Sequence, residues 1–267
     1  MPQLQEGSAV FKWITAAAIA ALLTSSGSAK EMSDNQKPTI VLVHGAFADS
    51  SSWNGVVEIL TDKGYSVTAT ANPLRGVAND AAYVAALVKS IHAPVVLVGH
   101  SYGGSVISSL PADVQNVKSM VFVSAFQPEG GESALELSGK FPGSSLADAL
   151  APSVPLGGGA NDLYIQKDKF PHQFAADVPL SQASLMAVAQ RPVTDVALSE
   201  TAKAAAWKHV PSWVIYGTAD LNIPPAAMAF MAERANSKVT VVEGASHVVM
   251  VSHPAAVADV IIEAAEK

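Results

Sequence analysis

No cysteine occurs anywhere in the chain, which excludes a disulfide framework, thiol nucleophiles and thiolate metal sites together. Charge is scarce as well. Asp, Glu, Lys and Arg make up 15% of the residues, and acids exceed bases enough to leave a formal net charge of −7. That sign argues against nucleic acid or an anionic membrane as the main partner. No G-x-G-x-x-G follows the first strand, no P-loop is present, and histidines and carboxylates never fall in an H-E-x-x-H arrangement. The expectation is therefore no cofactor and no metal. What the chain has in quantity is apolar residues, 49% of 267, enough for a substantial core in one large domain or two small ones.

The N-terminal stretch reads separately. Lys12 precedes an apolar run from Ile14 to Leu23 that is too short to span a bilayer comfortably. Small residues follow, with Gly27 and Ala29 placed for signal-peptidase cleavage after Ala29. Residues 1–29 are thus expected to be a signal peptide that sends the protein to the periplasm or outside the cell, with no stable membrane insertion after cleavage. Glu6, which offsets Lys12, is unusual in such a leader, and the competing readings are a packed N-terminal helix or an uncleaved anchor. Residues 30–37 read as a polar linker.

Beyond it, buried-type strands alternate with helices. Thr39–His44, Tyr65–Thr70, Val95–Val98, Met120–Ser124, Trp213–Tyr216 and Val239–Val242 are rich in valine and isoleucine and read as strands. Trp53, Val56, Val57, Ile59 and Leu60 fall at helical spacing until Lys63-Gly64, and Asn79–His92 is an alanine-rich amphipathic helix. Further helices should start near Pro225 and Pro254, since proline is tolerated in a first turn. This alternation predicts an α/β fold, a mostly parallel six-stranded sheet with helices on both faces. Residues 126–208 break the pattern. They hold seven prolines, the Gly157-Gly158-Gly159 run and no convincing buried strand, and they read as a helical lid inserted between core segments 30–125 and 209–267.

Chemistry concentrates after the third strand, at Gly99-His100-Ser101-Tyr102-Gly103-Gly104. A serine on a tight strand-to-helix turn is pushed into the open, and glycines two before and two after let the backbone fold that sharply. The helix starting there aims N–H groups and its positive end at developing negative charge. Such a serine needs a base, and the base needs an orienting acid. Asp220 and His247 each lie just past the carboxyl end of a strand, in the chain order Ser, Asp, His. Asp220 could instead cap a helix near Pro224-Pro225, leaving Glu129 to supply the acid. Of the other histidines, His92, His172 and His209 read as surface or lid residues, and His253 precedes Pro254 at the start of a helix.

From Thr39 to the C-terminus the chain resembles the α/β-hydrolase superfamily. It is most similar to compact esterases and plant-type methylesterases. The resemblance rests on His44-Gly45-Ala46-Phe47, Gly99–Gly104, Gly217-Thr218-Ala219-Asp220 and Gly244-Ala245-Ser246-His247. It implies Ser101 as nucleophile, His247 as base and Asp220 as the acid. His44 and His100 would support the loop and the elbow. The oxyanion hole would be the backbone N–H groups of Tyr102 and Ala46, with Phe47 as a rival to Ala46. The implied activity is hydrolysis of a small or medium carboxylic ester through an acyl-enzyme. Phe47, Phe126 and Met250 are candidates to line the pocket, with Tyr164, Phe170 and Met186 behind them. Lactone, amide and thioester substrates would use the same machinery. A hydroxynitrile lyase shares the fold, but the plant lyases carry threonine where Gly45 stands and lysine where Val248 follows His247. A cofactor-free peroxidase or dioxygenase and a non-catalytic small-molecule binder are the remaining alternatives.

Overall fold

A computed structural model describes residues 37–267. The leader assigned to residues 1–29, and all but the last residue of the linker, lie outside the described residues. The strands are β1 (Thr39–Val43), β2 (Val67–Thr70), β3 (Val95–His100), β4 (Val117–Val123), β5 (Val154–Pro155), β6 (Asn161–Leu163), β7 (Val193–Thr194), β8 (Ser212–Gly217) and β9 (Lys238–Val242). Six of them form one parallel sheet in the order β2-β1-β3-β4-β8-β9.

Burial explains the order. Every residue of β1, β3 and β8 is buried, as a strand covered by helices on both faces must be. β9 differs from the buried strand its valines suggest. It lies at the sheet edge with Val239 and Val241 exposed, so β-propensity rather than burial accounts for its composition. Helix α1 (Asn54–Asp62) follows a 3-10 turn capped by the Asp49 carboxylate on Ser51 N–H, and it ends before Gly64, whose φ of +77° suits glycine. Helix α2 (Val77–Lys89) starts two residues earlier and stops three earlier than its apolar spacing predicts. The helices Pro225–Arg234 and Pro254–Glu266 begin on their prolines.

Between β4 and β8 the chain forms short helices at Ala134–Gly139, Leu146–Ala149, Phe170–Phe174, Leu180–Ala189 and Asp195–Ser199. It also forms a small antiparallel sheet, β5-β6-β7, which the sequence reading lacks. Strands of two or three residues carry too few side chains to show a period of two. Asp162 of this sheet pairs with Arg75, and Thr194 N–H donates to Leu74 O, so the insertion is tied to the loop before α2. No helix among the described residues is long and apolar enough to cross a membrane.

The turn after β1 is held by a buried histidine. His44 Nδ1 lies 2.9 Å from Gly45 O, and its Nε2 accepts the Asn72 N–H at 3.0 Å. Asn72 Nδ2 donates back to His44 O. These partners require the neutral ring with hydrogen on Nδ1. Burial, the largest influence, lowers the His44 pKa to about 4. The unfolded chain, with its histidine near 6.5, therefore takes up a proton in a range where the folded one does not. Stability should be full above about pH 6.5 and fall by on the order of 3 kcal/mol as pH drops to about 4, with no further loss from this group below that. Urea midpoints measured from pH 7 to 4 should show this slope in the native protein and a reduced slope in His44→Gln. Equal slopes would contradict the account.

Candidate active site

β1, β3, β4, β8 and β9 run in parallel, so their carboxyl ends come out on one side of the sheet. Ser101 sits between β3 and α3 (Tyr102–Ser108) at φ 54°, ψ −123°. This is a left-handed conformation for a residue with a side chain, costing on the order of 1–3 kcal/mol. The surrounding bonds hold it there: Ser101 N–H donates to Val123 O, and Ser101 O accepts from Gly104 and Phe126 N–H. The turn closes only because of glycine. A Cβ on Gly99 would lie 2.7 Å from Gly103 O, closer than real Cβ contacts.

Asp220 and His247 meet beside this turn. The loops after β8 and β9 are joined by Ala219 N–H to Ala245 O at 3.0 Å, and a Cβ on Gly217 would clash with Ala245 O at 2.1 Å. His247 Nδ1 lies 2.7 Å from Asp220 Oδ2, with both side chains almost wholly buried. Asp220 Oδ1 accepts the N–H groups of Asn222 and Ile223 at 2.8 and 3.0 Å. Asp220 Oδ2 thus faces His247, while Oδ1 braces the Asn222–Ile223 turn and does not cap the helix that begins at Pro225, which has no side-chain cap. Glu129 does not reach His247. It pairs with Lys208 at 2.5 Å, beside Trp207.

With Nδ1 committed to Asp220, Nε2 is the ring nitrogen left to act on a serine. The described residues contain no Ser101–His247 hydrogen bond. Such bonds are often long at rest and tighten only when substrate binds. The His247 ring packs against His100, 4.8 Å away, and Phe174, 5.0 Å away, and these two also meet edge to face at 6.5 Å. His100 Nε2 donates to His247 O at 3.2 Å, and total burial, followed by the neighbouring His247, drives the His100 pKa well below its ordinary value. A neutral His100 packs against His247 without placing a positive charge beside it.

The candidate oxyanion donors separate by geometry. Phe47 N–H donates to Arg191 O at 3.0 Å, whereas Ala46 and Tyr102 N–H have no such backbone acceptor. Ala46, Phe47, Ser101, Tyr102 and Phe126 together line one cavity of about 60 Å³. Of the other pocket candidates, Met250 and Phe170 are fully buried and line no cavity near Ser101, so neither is a wall of the site. Tyr164 lines a separate cavity, beside Pro152 and Lys167. Met186 lines a larger pocket that shares Phe47 with the first.

Three neighbours were not legible in the sequence. Phe174 carries no motif that would place it on His247. Asp80, fully buried in the first turn of α2, accepts the Tyr102 hydroxyl at 2.9 Å and the Arg75 N–H at 3.0 Å. Burial pushes the Asp80 carboxyl up, against the lowering effect of these donors, and burial with the Asp80 charge raises the Tyr102 phenol. Ser246, adjacent to His247, donates to Asp177 of the insertion. A polar residue in a helix first turn is the only signal Asp80 offers, and it fits an ordinary cap equally well.

Comparisons with known proteins agree with this fold. Residues 40–260 match the model of the alpha/beta hydrolase family. The chain is 26% identical over 243 residues to an alpha-hydroxynitrile lyase of Arabidopsis thaliana, covering 82% of this chain and 93% of that protein. The structure of polyneuridine aldehyde esterase superposes with a TM-score of 0.72 at 19% identity, covering 85% of this chain and 99% of that one. A pyrethroid hydrolase from Sphingobium faniae gives 0.68 at 22%, covering 86% and 97%. At these identities the two structures share the fold alone, but the family model spans nearly the whole described unit. This chain belongs to the alpha/beta hydrolase family.

Proposed function

We propose that the protein is a serine hydrolase that cleaves a small or medium carboxylic ester through an acyl-enzyme. The observation that carries this reading is the buried 2.7 Å His247–Asp220 bond, set beside a serine held in left-handed backbone at the start of α3. Ser101 Oγ attacks the ester carbonyl while His247 Nε2 takes its proton. The carbonyl oxygen, now negative, receives the N–H groups of Ala46 and Tyr102, each such donor being worth about 3–4 kcal/mol in comparable sites. His247 then passes the proton to the departing alkoxide, leaving the acyl group on Ser101. Water, deprotonated by His247, attacks that acyl group, and the proton returns to Ser101 as the acid leaves. Asp220 holds the imidazole tautomer and stabilises its charged form throughout.

Hydroxynitrile lyase chemistry is the second reading, favoured by the similarity to the Arabidopsis enzyme. Gly45 weighs against it. A Cβ there would lie 2.5 Å from Ser101 Cβ and 2.7 Å from His100 O, so the loop has no room for the threonine of the plant lyases. The Val248 that follows His247 is buried and takes the place of their lysine. Export with cleavage after Ala29 is also part of this proposal. Protein recovered outside the cytoplasm should begin at Lys30, and an intact Met1 there would refute it.

Ser101→Ala should lower kcat for p-nitrophenyl acetate by on the order of 10⁶. Retained ester turnover in the folded variant, or cyanide release from mandelonitrile by a native protein inert to esters, would overturn the reading. Asp220→Asn should cut kcat by roughly 10⁴ by presenting the wrong tautomer. Glu129→Gln should change it little, because its carboxylate serves Lys208. The reverse pattern, in variants with matching thermal transitions, would move the acid off Asp220.

A further inference from the structure

The cavity at Ser101 measures about 60 Å³, well below the roughly 300–1,000 Å³ usual for small-molecule sites. Its walls beyond the catalytic loops are mainly apolar, Ala134, Leu135, Leu146, Leu198 and Ile223, with Ser138 and Asn222 as the polar members. A second pocket, of about 350 Å³, is within the usual range for small-molecule sites. Asp49, Asn54 and Gln182 give it polar edges, while Leu185, Met186 and Val251 give it apolar ones. Phe47 lines both.

Three features fix Phe47 as a wall. Its φ of 59° is rare for an aromatic residue, a strain found where surrounding structure over-determines the backbone. Its N–H is tied to Arg191 O in the insertion. Its ring stands edge-on to Phe174 at 6.1 Å, and Phe174 in turn packs on His247.

Building on the hydrolase reading, we propose that Phe47 divides the substrate site in two, so that the enzyme takes esters of a short apolar acid with a bulky, partly polar alcohol. The assignment of halves follows from the chemistry. The acyl group stays bonded to Ser101 Oγ after the first step, and Ser101 lines the small cavity only. The alcohol, which leaves with the proton from His247, is left the larger pocket that Phe47 also lines.

The test varies the two halves independently. For p-nitrophenyl esters of the native protein, kcat/KM should fall about tenfold or more from butyrate to octanoate. In Phe47→Ala the butyrate-to-octanoate ratio should shrink by a similar factor, about tenfold. Phe47→Leu should shift it in the same direction and serves if the alanine variant does not fold. Met186→Trp, which fills the outer pocket, should lower the preference for 1-naphthyl acetate over ethyl acetate. A native protein that hydrolyses octanoate as well as butyrate would overturn the division, as would folded Phe47 variants with unchanged ratios. In both cases butyrate turnover would leave the hydrolase reading standing. No turnover of any ester would remove that reading, and the division with it.

Discussion

A serine held at φ 54° is the constraint on which the active-site end of the molecule depends. The conformation is costly in isolation, and β3, β4 and α3 each contribute a bond or a close approach that holds it. Ser101 N–H is anchored on β4, its carbonyl bridges to Gly104 and Phe126, and Gly99 and Gly103 let the strand and helix meet. The same turn leaves Tyr102 N–H at the start of α3 without a helical acceptor, as every helix start must. The position of Ser101 and the free N–H of Tyr102 are thus products of a single piece of backbone geometry.

Around that turn the protein buries polar groups in numbers that need explanation. His44, His100, Asp80 and Asn72 are all fully buried, and each is committed to a particular partner. Apolar side chains would fill the same volume with no desolvation cost, so stability alone does not account for them. What they share is position. His44 shapes the loop carrying Ala46, His100 packs on His247, and Asp80 holds the ring of Tyr102. Burial lowers the pKa of both histidines, so neither adds a positive charge beside His247.

Much of this could be read from the chain because it is local. The six sheet strands, the elbow and the loops bearing Asp220 and His247 are each encoded within a dozen residues, by apolar runs, glycine and proline. The edge position of β9 was hidden, since a valine-rich strand looks alike whether or not a helix covers its second face. The insertion was legible only as an interruption. Its strands are too short to carry a period, and Met250, an apolar residue near His247 in sequence, proved to belong to the core. Contacts such as Phe174 with His247, or Asp80 with Tyr102, join residues tens of positions apart and have no sequence signature.

The central claim is that Ser101 is a live nucleophile activated by His247. A fluorophosphonate tests it without assuming any natural substrate, because phosphonylation requires attack by an activated oxygen and the adduct survives for mass analysis. The account predicts one adduct per native chain, located on the peptide containing Ser101, and none on His247→Ala under the same conditions. An unlabelled native protein, or a label on any other residue, would contradict it.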